Sequence, residues 1–393
     1  MFNLLLLSGA MFALGLDAYV LAGILPSIAA SFSISEGEAA QVVTAFTLCY
    51  AVAAPIIATA LAGQPIRRIL VLAMTLFIIG NVLSVVVSSF TLLIVSRCIA
   101  GAGAGTFAPV AAAVAGTLVP KERKGRALGM ILGGMGTGTV VGVPIGIQIS
   151  KQFGWQATLL LVALIGLVSV IGILAKLPAV TVAPPPSLRA RLKMLTHPRI
   201  ASVVTVTLFT AIASLGLYTF IAPMLNDLGK GADPSVYLWV WGIGGVAGAF
   251  SVGHIIDRTG HPGIVLLVIL SILSLSLLSL PLTASVPAVV SFLPFLLWGA
   301  MGWSSLAPQQ HVLLDLEPDH GSVAVALNSS ANYLGSAIGA MLGGVLLENE
   351  LLTPSTLPKA AAVAAIIAVG VQIIVMITRF NTRPNNSQLC QEK

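Results

Sequence analysis

The chain has 393 residues, 57% of them hydrophobic and only 8% charged, with a formal net charge of +6 and a mean hydropathy of +1.02. A water-soluble domain carries roughly 25% charged residues, so there is too little polar side chain here to cover a water-facing surface, and lipid must cover much of it. This leaves no room for a soluble catalytic domain, and the basic residues sit in short gaps between apolar runs, where the bias of cytoplasmic loops explains them without a nucleic-acid partner.

A bilayer crossing takes ~20 apolar residues. Apolar runs bounded by charged or turn residues predict twelve crossings. The first six are 4–30, 38–62, 69–87, 91–118, 126–149 and 155–178. The second six are 199–225, 235–256, 262–282, 285–313, 321–348 and 357–380. The first run has no basic leader and continues past Ala30 without a cleavage site, so it reads as a retained helix rather than a signal peptide. The only long polar break is 179–198. It opens with Pro184-Pro185-Pro186, which cannot be helical. Leu188, Leu192 and Leu195 then share one helical face, with Arg189, Arg191 and Lys193 on the others. That pattern fits a short helix lying on an anionic membrane surface, or a solvated linker. The predicted organisation is an all-α membrane protein of twelve transmembrane helices in two six-helix bundles. The N-terminal bundle spans 1–178, a cytoplasmic linker 179–198, the C-terminal bundle 199–380 and a cytoplasmic tail 381–393.

With the N-terminus in the cytoplasm, nearly all of the 19 Lys and Arg fall in inside loops; Lys151, Lys230 and Lys359 fall outside, and Arg97 lies within a span. This asymmetry puts both termini inside. Asp315, Glu317 and Asp319 make one inside loop acidic, but acidic residues count little in this rule. The halves also echo each other. Gly103-Ala104-Gly105-Thr106-Phe107-Ala108-Pro109 in the fourth span parallels Gly302-Trp303-Ser304-Ser305-Leu306-Ala307-Pro308 in the tenth, and Pro120 and Pro318 follow at nearly the same offset. Parallel half-repeats are a transporter signature, with a site near the midplane between them.

Two charged residues clearly lie inside the predicted spans: Asp17 in the middle of the first and Arg97 in the fourth. A charge at the bilayer centre costs ~2.5–3.5 kcal/mol on insertion scales, so it needs a partner or a wet cavity. An aspartate can also shed its charge by taking up a proton, because burial favours the neutral form. Asp17 is therefore a candidate proton carrier, and Arg97, which cannot deprotonate, a group that biases it. The competing reading is a static ion pair joining two helices. At the end of the eighth span, Gly253-x-x-x-Asp257-Arg258-x-Gly260 suggests a gate latch, with glycine allowing close approach and Asp257 capping a neighbouring helix N-terminus. The matching place in the first half keeps the basic pair Arg67-Arg68 but lacks the acid.

At this point the residues resemble a known family. Gly253–His261 resembles the loop motif of the major facilitator superfamily. Arg97-Cys98-Ile99-Ala100-Gly101-Ala102-Gly103 resembles its fourth-helix motif, in which the arginine is linked to proton transfer. Gly138-x-x-x-Gly142-Val143-Pro144-Ile145-Gly146 resembles the fifth-helix motif of its antiporters. Gly15–Pro26 around Asp17 is similar to the twelve-span drug:proton antiporter group, where an acid in this helix is the coupling site. Trp298–Gln310 and Asn328–Gly344 look closest to the branch of bacterial purine or nucleoside, sugar and chloramphenicol-type exporters. The missing acid in the first-half loop implies a weaker or differently made latch there. In the fifth span Gly138, Gly142, Pro144 and Gly146 give a close-packed, bendable helix that is expected to seal one half against the other.

Polar and aromatic groups near mid-span supply substrate-site candidates: Tyr19, Phe46, Tyr50, Tyr218, Trp298, Trp303, Asn328 and Asn332. Asn328 and Asn332 are one helical turn apart and share a face, so two amides are expected to read a heterocycle edge while aromatics stack on its ring. The expected function is a proton-coupled antiporter that exports a drug-, purine- or sugar-like molecule by alternating access, in a bacterial inner membrane. The alternative is a facilitator or importing symporter in which Asp17 is structural. The expected partners are a small-molecule substrate, protons and the lipid bilayer, and the resemblance implies a monomer. No Cys/His spacing suggests a metal, and no HExxH, GxSxG or Walker pattern suggests an enzyme or a cofactor.

Overall fold

Helix starts in this chain are set by hydroxyl caps and prolines. The computed structural model describes residues 2–60, 64–120, 123–177, 193–231, 234–317 and 321–381, and all regular structure among them is helical. A long α1 (Phe2–Phe32) leads to a single turn, α2 (Glu36–Ala39), capped by Ser35, whose Oγ accepts from the Glu38 N–H at 2.9 Å. Then come α3 (Gln41–Ala60), α4 (Ile66–Val86) and α5 (Phe90–Thr117), the last capped by Ser89. Two helices, α6 (Lys124–Thr137) and α7 (Val143–Phe153), are joined by a π-helical stretch, Gly138–Gly142, and form one crossing. Gly154, with φ of +86°, turns the chain into α8 (Trp155–Lys176).

The second half begins with α9 (Pro198–Ala211), a π-helical stretch at Ile212–Gly216 and α10 (Ile221–Asp227). It continues through α11 (Pro234–Thr259), α12 (Pro262–Ser279) and a 3₁₀ turn at Leu280–Ser285. Two short helices, α13 (Ala288–Ser304) and α14 (Leu306–Leu316), make the tenth crossing, followed by α15 (Gly321–Glu348) and α16 (Leu357–Asn381). Eleven crossings among the described residues are long and apolar enough to span a membrane; α3 occupies the place of the predicted second span. Three expected spans are interrupted. The second starts only after a turn at Ala40, the seventh is broken between the π stretch and α10, and the tenth bends at Ser305. Most of the amphipathic segment expected at 187–195, and the tail after 381, lie outside the described residues.

Glycine brings the helices together. With no apolar driving force between helices in lipid, small residues that allow backbone contact decide which faces meet. Along the fifth crossing Gly134, Gly138, Gly142 and Gly146 recur every fourth residue and lie on Ser8, Phe12, Leu16 and Val20 of α1. A Cβ on Gly138 would stand 2.1 Å from the Phe12 carbonyl oxygen. The second half repeats the device, with Gly335 and Gly339 of α15 against Leu208 and Ile212. Gly101 and Gly105 of α5 meet the Phe46 and Tyr50 carbonyls of α3, and Gly299 of α13 meets that of Trp241 on α11. Outward faces carry Leu72, Leu76 and Ile79 on α4 and Val363, Ile366 and Ile367 on α16, all exposed. Such an apolar exterior suits hydrocarbon as its solvent.

The halves meet along a seam formed mainly by α3 with α15, α11 with the fifth crossing, and α1 with α10. The seam is tight at the Glu36 end, where Gly37 and Gly344 approach so closely that a Cβ on either would stand 2.7 Å from the other's carbonyl oxygen. Gly129, Gly133 and Gly253 make no such approach: a Cβ on any of them would find nothing within 4 Å.

Candidate functional site

The two charges predicted inside the spans find each other. Asp17 on α1 and Arg97 on α5 are both fully buried, and Arg97 Nη2 donates to Asp17 Oδ2 at 2.9 Å. Asn81 on α4, which the sequence reading missed, bridges them. Its Nδ2 donates to Asp17 Oδ2 at 3.3 Å, and its Oδ1 accepts from Arg97 Nη1 at 3.0 Å. Asp17 Oδ1 and Arg97 Nε have no protein partner among the described residues. The pair is closed but not saturated, so one carboxylate oxygen is left for a proton or a water. The signal for Asn81 was there to read: one amide in the otherwise apolar run of α4.

From this pair a run of rings leads to the seam. The Arg97 guanidinium lies over the Phe46 ring, 4.8 Å from its centroid. Phe46 and Tyr50 centroids are 6.3 Å apart, and Tyr50 stacks on Tyr333 of the other half at 3.6 Å. A second group of rings closes the seam around α1. Tyr19 meets Tyr218 edge-on at 5.4 Å and Trp241 at 6.1 Å. Trp241 lies 4.4 Å from Tyr218, 6.1 Å from Trp298 and 5.8 Å from Trp303. Trp303 rests on the bare face of Gly245, where a Cβ would come within 2.7 Å of the indole.

The structure thus divides the eight substrate-site candidates. Tyr19, Tyr218, Trp298 and Trp303 come together, joined by Trp241. Phe46 and Tyr50 belong to the run from Arg97, joined by Tyr333. Trp241 and Tyr333 escaped notice because they sit in apolar runs, where an aromatic residue is as often packing as recognition. Asn328 and Asn332 do not act as a pair. Asn328 is fully buried within its own half, with its Oδ1 accepting from Thr207 Oγ1 at 2.5 Å and its Nδ2 donating to Gln309 Oε1 at 3.4 Å. Asn332 is partly exposed and outside that network.

The gating candidates also sort by geometry. Gly138, Gly142 and Gly146 face α1 of their own half, with Pro144 buried in the same crossing. They do not form the seal between halves that the motif suggested; Val140, packed against Gly242, makes that contact. Gly253, Asp257, Arg258 and Gly260 lie exposed at the end of α11, and Gly260 has φ of +65°. Asp257 makes no side-chain hydrogen bond among the described residues, and α12 starts without a side-chain cap, so the expected capping by Asp257 is not formed there. Arg67 donates to the Leu174 carbonyl, and Arg68 Nη1 donates to Gln64 Oε1 at 2.9 Å.

The closed end of the seam carries its own acids. Burial pushes the half-buried Glu36 carboxyl above its usual range, and the Asp227 carboxylate of the other half adds to that shift. Asp227 is itself held below the usual range by hydrogen bonds from Ser355, whose backbone N–H donates to Oδ2 at 2.9 Å.

Comparison with known proteins agrees with this architecture. The family model "Major Facilitator Superfamily" matches residues 7–340. A Bacillus subtilis protein named "Uncharacterized MFS-type transporter YbcL" is 30% identical over 379 residues, covering 96% of this chain and 95% of that one. A Streptomyces lividans "Chloramphenicol resistance protein" is 32% identical over 263 residues, covering 65% of this chain and 67% of its own. Among solved structures, a D-xylose–proton symporter superposes with a TM-score of 0.76 at 16% identity, covering 95% of this chain and 96% of that one; this similarity concerns the fold alone.

Proposed function

The chain belongs to the Major Facilitator Superfamily and is a multi-pass membrane transporter, and from that premise we propose that it is a proton-coupled antiporter exporting a small organic molecule by alternating access. The observation that carries this reading is the placement of Asp17. Among the described residues it is the only buried acid, and it shares α1 with Tyr19 of the aromatic site, two positions along. Two residues in an α-helix are about 200° apart, so one helix presents the acid to its own half and the ring to the other. A change of charge at Asp17 is transmitted to the seam through α1, and through Arg97, Phe46, Tyr50 and Tyr333.

The cycle follows from charge. In the state described, Asp17 pairs with Arg97 and the seam is shut at the Glu36 end. With the basic loops inside, as the loop bias favours, the end that is shut faces outward, which assigns this state to the inward-facing side of the cycle. Once the seam opens outward, a proton taken up at Asp17 weakens its hold on Arg97, and substrate leaves. Return to the inward-facing state lets Asp17 give up its proton and pair again. Both halves of the site come from one chain, so a monomer suffices in a bacterial inner membrane. The similarity to a chloramphenicol resistance protein supports export, as does the acid in the first span. The second reading, a facilitator in which Asp17 only orders the first half, is favoured by the complete burial and short contact of the pair.

A pH-sensitive dye inside proteoliposomes separates the two. Antiport predicts that adding chloramphenicol or another transported compound moves protons in the direction opposite to the compound. Transport of a compound with no proton movement at any imposed gradient makes the protein a facilitator.

A further inference from the structure

Three tryptophans meet at the seam, and their N–H groups are treated differently. Trp298 Nε1 donates to Ser214 Oγ at 3.0 Å, so that ring is anchored within the second half. Trp241 Nε1 and Trp303 Nε1 are buried and have no acceptor among the described residues. A buried N–H without a partner costs roughly 1–3 kcal/mol, and two in adjoining rings is an expense that packing alone does not need. Phe supplies a smaller aromatic ring without that cost.

Their surroundings are specific. Trp303 is seated on Gly245 and reaches Gly136 of the first half, 3.7 Å from that residue's Cβ position. Trp241 lies between Tyr218 and Trp303. The walls are therefore rings, and the two unpartnered indole N–H groups are donors that cannot accept. The only buried charges among the described residues, Asp17 and Arg97, neutralise each other. Asp17 lies on the other side of α1 from Tyr19. An anion has no unpaired cation to meet here, and burying an unpaired charge is far costlier than burying a hydrogen-bonded neutral group. A sugar brings many hydroxyl donors to a site whose own spare groups are donors.

We infer that the central site selects uncharged, flat aromatic solutes carrying two hydrogen-bond acceptors, such as ring carbonyls, nitro oxygens or ring nitrogens, which accept from Trp241 Nε1 and Trp303 Nε1. This names a substrate class for the transport site and rests on the transporter reading. Aromatic faces supply affinity for any flat solute; the two donors supply selectivity, because a site built to hydrogen-bond a ligand rejects a shape-matched analogue that lacks the acceptors.

The test is equilibrium binding to the purified full-length protein in detergent, measured by calorimetry with no gradient. The probes share a phenyl ring joined to a benzo-fused five-membered ring: N-phenylphthalimide, with two carbonyls; 2-phenylindane, with none; and the phthalimide carrying a para carboxylate or a para trimethylammonium group. D-xylose is the sugar arm. The imide is expected to bind at least tenfold tighter than every other probe. Trp241→Phe and Trp303→Phe keep the ring and remove the donor. Each is expected to weaken imide binding about tenfold, the worth of one hydrogen bond, and to leave 2-phenylindane binding unchanged. Tighter binding of the hydrocarbon, an ion or D-xylose by the wild type overturns the class whether or not the variants fold, and so does equal weakening of imide and hydrocarbon. The two claims fail separately. Imide binding without coupled proton movement contradicts only the antiport reading. Proton-coupled transport of an ion or a sugar by a protein that does not bind the imide contradicts only the class.

Discussion

In the first half, Gly138 lays the fifth crossing on Phe12 of the first; in the second half, Gly339 lays the eleventh on Ile212 of the seventh. Gly101 against Phe46 is matched by Gly299 against Trp241. The frames correspond, yet the groups placed on them do not. At the offset that aligns Gly103 with Gly302, Asp17, Asn81 and Arg97 correspond to Gly216, Leu280 and Leu296. The first half holds a buried charge network where the second is apolar, and the second contributes Trp241, Trp298 and Trp303. Its buried polar cluster, Thr207 with Gln309 and Asn328, is neutral. The difference teaches how a repeated scaffold can carry unlike groups, and on the reading proposed above it divides labour: one half for the proton, the other for the solute, with α1 touching both.

The largest expected effect breaks the charged half alone. Arg97→Met leaves Asp17 buried and unpaired, which typically costs about 3–5 kcal/mol. The variant should unfold at a markedly lower temperature in detergent. Adding Asp17→Leu should recover most of that loss, because replacing a buried pair by apolar groups is often neutral. No recovery would mean the pair is not the cause.

Next in size are glycines, and here the halves should behave alike. Gly101→Ala and Gly299→Ala place a methyl carbon 2.2 Å and 1.9 Å from carbonyl oxygens of the neighbouring helix. Overpacking of this kind costs typically about 1–3 kcal/mol, to be read as similar drops in melting temperature. Gly129→Ala, with nothing within 4 Å, should cause no drop. A large asymmetry between the first two would argue against equivalent frames.

Asn81→Ala and Asn328→Ala sharpen the contrast. Asn81 bonds to charged groups, where a hydrogen bond is worth about 1.5–3 kcal/mol, against about 1 kcal/mol between neutral groups. Thermal unfolding should therefore show the greater loss for Asn81→Ala. Equal losses would mean that the charge adds nothing.

The smallest effect concerns pH at the closed end of the seam. The acid that acts on Glu36 is Asp227 from α10; Glu38 lies on the same helical turn, and the backbone of Glu348, at the end of α15, lies beside Gly37. Closure raises the Glu36 proton affinity, so a bound proton favours the closed end. That contribution is complete below the ordinary glutamate range and is lost as pH rises through the raised value. The depressed Asp227 acts in the opposite sense: its contribution is present above the ordinary aspartate range and lost as pH falls through its lowered value. In a background with the native cysteines replaced, the rate at which Ser35→Cys reacts with a membrane-impermeant maleimide, divided by that of a free thiol at the same pH to remove the thiolate's own pH dependence, should increase as pH rises out of the acidic range. Glu36→Gln should flatten that dependence. An unchanged pH profile in Glu36→Gln rules the residue out.

The spans and the Asp17–Arg97 pair were legible in the sequence because hydrocarbon makes both rules strict. Long apolar runs cannot hide, and a lone charge inside one demands an explanation. The interruptions were less visible. The breaks at Thr219–Phe220 and Ser305 are each followed by a proline, Pro223 and Pro308, whose missing N–H takes away the helical bond to the carbonyl four residues back; the expected spans ran through both because the surrounding residues are apolar. Asn81, a lone amide in α4, was legible and was passed over, whereas Trp241 and Tyr333 were missed because an apolar run does not say which of its faces meets the seam. The Asn328–Asn332 pairing failed for the same reason. Helical spacing placed both amides on one side of α15, but burial by Thr207 and Gln309 decided that Asn328 is committed within its own half.

The central claim is that proton sensing and solute reading are separate, with Asp17 serving only the first. The most direct test is to add saturating N-phenylphthalimide to lightly buffered purified protein and measure bound ligand and released protons together. The account predicts that the wild type releases protons as it binds, while Asp17→Asn, fixed in the neutral form, binds more weakly at the same site and releases none. Proton exchange that persists in Asp17→Asn on binding would contradict it.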